Sequence, residues 1–192
     1  MKTTKSLKDI AEIIAGYSFR TALRSKDNAS FFALQAKNIL DNGMVDEDNL
    51  DGIDFENYRS KAIVKRNDVV VSSRGSFRAG LIDLGDKNVI ATSSAYILRL
   101  KNGSNIKPEY LTIYLNSSDG QKQLAESSTG VAIKSIKRSD LENIKIIVPN
   151  IEKQEKVIDI YNTNNKLKKA LTNKINLINN ISEVVINKLL KN

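Results

Sequence analysis

The chain has 192 residues, 41% of them hydrophobic, enough to bury a core and too apolar for wholesale disorder. It contains no cysteine, which excludes disulfides and thiolate chemistry, and no histidine, the commonest general base and metal ligand. Its formal net charge of +8 favours encounter with polyanions, of which nucleic acid is the usual intracellular example.

The charge is unevenly spread. Residues 1–60 hold 8 basic and 10 acidic side chains (−2), residues 61–150 hold 14 and 8 (+6), and residues 151–192 hold 8 and 4 (+4). No apolar run approaches a membrane span, and MKTTKSLKDI lacks a signal-peptide core, so the sequence reads as cytoplasmic with no membrane partner.

In chain order, SLKDIAEIIAGYSF is apolar at Leu7, Ile10, Ile13 and Ile14 and breaks at Gly16. FFALQAKNIL, residues 31–40, predicts a strand closed by the turn Asp41-Asn42-Gly43. DVVVSS (68–73) and NVIATSSAYILRL (88–100) are β-branched and aromatic and predict strands. Between them a Gly/Ser loop carries Arg74 and Arg78. Pro108 opens a predicted helix in PEYLTIYLNS, and SDGQKQLAES predicts another. Ser139 to Glu142 has the pattern of a capping box and predicts one helical turn, followed by a last strand in IKIIVP that Pro149 ends.

Beyond Pro149 the character changes. Asn150 can cap a helix, and from Ile151 to about Leu190 there is neither Pro nor Gly. In heptads the first core position holds Val157, Asn164, Leu171, Ile178 and Val185. The second holds Ile160, Leu167, Lys174, Ile181 and Lys188, with Tyr161, Ile175 and Leu189 one step further round. The apolar face is therefore wide, and it drifts as a nearly straight helix would. Forty residues span about 60 Å at the helical rise, more than a domain of this size can cover. A second copy of the same helix is the simplest partner, with Asn164 suited to fixing register. The alternative is a helix folded back over its own domain.

Catalytic signatures are missing. There is no GxxxxGK[ST] phosphate loop and no GxGxxG after a strand. Asp46-Glu47-Asp48 with Asp51 and Asp54 reads as a solvated loop, and Ser72, Ser73, Ser93 and Ser94 have no His partner. What remains suits binding. Arg74 and Arg78 flank Gly75-Ser76-Phe77, and arginine makes bidentate contacts with phosphates and guanine edges, beside which Ser72, Ser73 and Ser76 can position phosphates. SSTGVAIKSIKRSDL supplies Lys134, Lys137 and Arg138, a line better suited to phosphates than to bases. Tyr17, Phe19, Arg20 and Arg24 form a third, weaker stretch.

The order of LKDIAEIIAGYSF, RNDVVVSSRGSFRAGLID and STGVAIKSIKRSDLENIKIIVPNIEKQEKVIDIY resembles one repeat of a type I restriction–modification specificity subunit. Most specific is the turn Ser139 to Leu141, the strand Ile144 to Val148, Pro149, and the helix opening Glu152 to Gln154. The resemblance implies a mixed α+β (α/β) target recognition domain with a curved sheet over residues 1–149, and one long spacer helix over 150–192. It implies a non-catalytic protein that reads double-stranded DNA and docks methyltransferase and restriction/translocase subunits. This chain would bind no cofactor itself: S-adenosylmethionine, ATP and Mg belong to those partner subunits. A typical member has two recognition domains and two antiparallel helices, so one of each implies a half-subunit completed by a homodimer. A two-fold pair reads an inverted repeat with a spacer, whereas pairing with a different half gives an asymmetric target. The rival readings are a nuclease with an unrecognised site and an adaptor that assembles partners through its helix.

Overall fold

A computed structural model describes residues 3–191, apart from 21, 22, 24, 25, 27, 84 and 86. The chain is mixed α+β and divides into two compact units, Met1–Glu155 and Lys156–Asn192.

The first unit opens with strand β1 (Thr3–Ser6), a single helical turn α1 (Leu7–Ile10) and strand β2 (Ala11–Ala15). The Asp9 carboxylate accepts from the Ser6 backbone N–H at 3.1 Å, satisfying a donor at the start of the turn. Leu7, Ile10, Ile13 and Ile14 are all buried, the first pair from the helical turn and the second from the strand.

Strand β3 (Phe31–Leu34) ends sooner than its apolar run predicts. Residues 36–38 wind into a 3-10 turn because the Asn38 side chain accepts from Gln35 N–H at 2.9 Å and donates to Asn49 O at 2.8 Å. The turn at 41–43 follows, with Leu40 N–H donating to Met44 O at 2.9 Å.

Strands β4 (Asp51–Ile53), β5 (Val69–Ser72), β6 (Ala79–Leu81), β7 (Val89–Ala91) and β8 (Ala95–Leu100) complete two main sheets. One is antiparallel in the order β2-β8-β5-β6, and the other is β4-β3-β7 with β3 and β7 parallel. The run 88–100, which reads as one strand, is thus two strands in two sheets. Thr92 to Ser94 make the switch: Thr92 N–H donates to Leu34 O (2.8 Å) and Ala95 N–H turns back to Thr92 O (2.9 Å). Gly16 presses against this corner. A Cβ there would lie 1.9 Å from Thr92 O, so the break that ends the first apolar stretch is also a site of close backbone approach.

Phe31, Leu34, Ile39, Val70, Ile90 and Ile97 belong to one core shared by the two sheets. Helix α2 (Pro108–Asn116, with Pro at its first position) packs on β5 and β6, followed at once by α3 (Ser118–Glu126). Covered on both sides, β5 can be apolar at successive positions. Inside, Arg99 grips Asp68 with Nε and a terminal nitrogen at 3.0 and 2.7 Å, and this carboxylate raises the arginine pKa above its usual value.

A hairpin of β9 (Ser128–Thr129) and β10 (Ser135–Ile136) leads to the short helix α4 (Arg138–Glu142). The turn is present but the capping box is not. The helix starts two residues early, Lys137 takes the capping position, and the Ser139 hydroxyl meets Asp140 Oδ1 at 3.3 Å instead of a backbone donor. Strand β11 (Lys145–Val148) pairs antiparallel with β1, joining the two ends of the unit.

Helix α5 runs Ile151–Leu190. Asn150 Oδ1 accepts from Lys153 N–H at 3.3 Å, the expected cap. Gln154 is fully buried in the first unit. Beyond it, Ile160, Leu167, Leu171, Ile175, Ile178, Ile181, Val185 and Leu189 are each at least half exposed, and Val157, Tyr161 and Asn164 share the same stripe of positions. Among the described residues no helix is long and apolar enough to cross a membrane.

Candidate nucleic-acid interface

Two of the segments singled out by charge meet at Thr92 to Ser94. The Ser73 N–H donates to Ser94 O (2.8 Å) and its hydroxyl to Ser93 O (3.0 Å), while Ser93 N–H donates to Tyr17 O (2.9 Å). The Ser94 hydroxyl accepts from Ala36 N–H at 3.0 Å and pairs with the Thr92 hydroxyl at 2.8 Å. These hydroxyls hold the corner between sheets.

From this corner the 73–78 loop rises between β5 and β6. The Ser72 hydroxyl donates to Ser76 O and accepts from Arg78 N–H (2.9 Å), closing the loop at its root. Two helix side chains brace it from behind. Asn116 pairs with both backbone groups of Ala79 at 2.8 and 2.9 Å, as a neighbouring strand would, and Gln121 donates to Phe77 O at 2.7 Å.

The second basic segment lies against the first. Gly75 N–H donates to Lys134 O (2.9 Å), Ile136 N–H donates to Ser73 O (3.1 Å), and Arg74 faces Ser135 in an antiparallel bridge. Tyr96 donates its hydroxyl to Ile136 O at 3.1 Å from beneath. Partial burial raises the Tyr96 pKa, and the positive charges of Arg138 and Arg74 pull against that rise.

Arg74, Ser76 and Lys134 are therefore exposed on two loops locked to one another through backbone hydrogen bonds, and Lys137 and Arg138 are exposed at the start of α4 that follows. Arg138 also bonds Glu142 at 2.9 Å, one helical turn on. Arg78 sits lower, half-buried at the loop root and paired with Asp41, so its charge is already answered. Ser72 and Ser73 require a correction. Both are buried with hydroxyls bonded to internal carbonyls, so they shape the loop and do not face outward.

Arg20 is exposed on the segment that leaves the corner at Tyr17, where Tyr17, Phe19 and Phe55 stack edge to face at 4.8 and 5.1 Å. Arg24 lies outside the described residues. Asn116, Gln121, Tyr96 and Asp41 went unrecognised in the sequence, because each acts through a partner distant along the chain and none stands in a motif.

The acidic run is structural: Asp51 holds Lys37 and Gln35 at 2.8 and 2.6 Å, and Asp54 holds Lys26 at 2.7 Å. Among the described residues, no three acidic side chains gather as metal ligands would.

Two loops joined by backbone hydrogen bonds thus present exposed arginine and lysine above two buried serines and a half-buried tyrosine. Residues 2–180 match the family described as type I restriction modification DNA specificity domain, and the chain belongs to that family. The type I restriction enzyme EcoBI specificity subunit of Escherichia coli is 27% identical over 141 residues, covering 71% of this chain and 29% of that relative. The fold resembles the HsdS subunit from Thermoanaerobacter tengcongensis (TM-score 0.61, 18% identity, 88% of this chain and 39% of that one). It also resembles the type I restriction-modification S subunit from M. genitalium (TM-score 0.58, 16% identity, 83% and 38%). The chain thus spans about 29% of the curated relative and under half of each solved structure.

Proposed function

We propose that this chain is a non-catalytic, DNA-reading component of a type I restriction–modification complex. Its first unit reads one half-site of double-stranded DNA through Arg74, Ser76, Lys134, Lys137 and Arg138, with Arg20 on the flank. The observation that carries this reading is the direct backbone pairing of the two basic loops, in a chain of the DNA specificity family. Pairing fixes the backbone positions from which the cations project, and sequence is read where such side chains reach base edges. Chemistry falls to methyltransferase and restriction/translocase subunits docked on the chain, which bring S-adenosylmethionine, ATP and Mg. The exposed stripe of α5 receives a second copy of this helix, giving a two-fold pair and an inverted-repeat target.

The test is DNA affinity across a salt series, on a duplex selected from a random library and on a scrambled one. Arg74→Ala weakens the selected duplex by about 1–3 kcal/mol and relaxes preference at one position. Lys134→Ala weakens both duplexes alike and lowers the salt slope by about one. Unchanged binding by both variants defeats the reading. Dimers with weak, sequence-indifferent DNA binding would favour the helix-mediated adaptor instead.

A further inference from the structure

The tip of the β9–β10 hairpin carries two apolar side chains where a soluble surface would place polar ones. Val131 is 105% exposed and Ile133 68%, and Val131 is the most exposed large apolar residue described. The five residues joining the strands, 130 to 134, are held in one shape. Gly130 has φ +113°, and a Cβ on it would lie 2.4 Å from Ile133 O, so the loop closes tightly on a position only glycine fills. Below the tip, the Gly75 bond to Lys134 O and the Tyr96 bond to Ile136 O pin the base of the hairpin.

The surroundings of the tip are cationic. Residues 128–138 contain Lys134, Lys137 and Arg138, the last bonded to Glu142, and no acid, and Arg74 stands across from Ser135. An apolar point inside a cationic collar matches a surface with an anionic rim and an apolar patch on its floor. The DNA major groove is such a surface: phosphates line its edges, and the thymine C5-methyl is the apolar group presented by its base edges. Its width of about 12 Å admits a two-stranded ribbon, whereas the minor groove, at about 6 Å, does not.

We propose that Val131 and Ile133 are specificity-determining residues that pack against thymine methyl groups in the major groove of the target. This rests on the DNA-reading function proposed above, and it gives that surface a non-electrostatic component.

The experiment takes the full chain and the duplex it enriches from a random library, and replaces each thymine of that duplex in turn with deoxyuridine, which deletes only the methyl. For the native chain, at least one replacement lowers affinity about fourfold, the equivalent of one buried methyl. In the double variant Val131→Ala/Ile133→Ala the same replacement has no effect, and the variant's salt slope equals that of the native chain because no charge has been removed. Both side chains are exposed, so the variant keeps the native melting temperature. An enriched duplex that is indifferent to every replacement overturns this inference and leaves the DNA-reading function standing. A replacement equally costly for native and variant chains also overturns it, since the methyl then meets another residue. Failure to enrich any sequence overturns the underlying function and this inference with it.

Discussion

At the scale of single residues, the steepest constraints lie in the scaffold behind the basic loops. Gly16 has backbone on its open side, and a methyl added there meets Thr92 O at a distance no rotamer change relieves. Gly16→Ala should therefore cost about 3 kcal/mol, at the upper end for overpacking, read as a lower urea midpoint with unchanged slope. Tyr110 makes a different kind of prediction. Its hydroxyl donates to Ile147 O at 2.9 Å, and burial raises its pKa, with neighbouring Tyr114 adding to the rise. A phenol whose folded pKa lies above its unfolded value of 10.0 contributes stability fully below that pH and loses it as pH climbs through the folded value. Tyr110→Phe should lower stability by about 1 kcal/mol at neutral pH but flatten the decline above pH 10, measured as urea unfolding across an alkaline series.

At the scale of elements, a buried glutamine ties the joint between strand and spacer helix. Gln154 Oε1 accepts from Lys107 N–H (2.8 Å), and its Nε2 donates to Asn105 O and Pro149 O (both 2.9 Å), tying the first turn of α5 to the loop before α2. Gln154→Glu turns the donor into an acceptor facing two carbonyls. It should cost roughly 3 kcal/mol and more than Gln154→Ala, with urea unfolding as the measure. The Glu-x-Gln opening was legible in the sequence as a signature, but its role as a clamp was not, because two of its three partners lie nearly fifty residues upstream. The same division holds elsewhere. Apolar spacing located α2 and the strand cores, since burial imposes those periods locally, and a capping Asn150 followed by forty residues without Pro or Gly located α5. The division of residues 88–100 between two sheets was not legible, because Leu34 and Ala36, which receive the corner, belong to another segment. The burial of Ser72 and Ser73 was hidden for the same reason: in sequence a serine beside an arginine loop looks the same whether its hydroxyl points out or in.

At the scale of the whole molecule, α5 combines a length of about 60 Å with an exposed apolar stripe, which is costly to leave in water over so many turns. If a second copy covers that stripe, replacing Leu167, Leu171 and Ile178 together by Ser should convert a dimer to a monomer by light scattering. The melting of the first unit should stay the same. A native chain that is already monomeric at tens of micromolar would assign the stripe to a different partner.

The corner at Thr92 to Ser94 has a consequence for how such a protein can change over time. Most bonds that hold the two basic loops run between main-chain groups or come from side chains outside the tips, so they do not depend on which residues occupy positions 74, 76, 131, 132 and 133. Those positions can be rewritten while the frame beneath them stays folded. A library randomised there, with Gly130, Ser72 and Ser73 retained, should yield mostly folded proteins with altered sequence preference. The same diversity placed at 92–94 should yield mostly unfolded ones. Novelty in what is read is thereby separated from risk to the structure that does the reading.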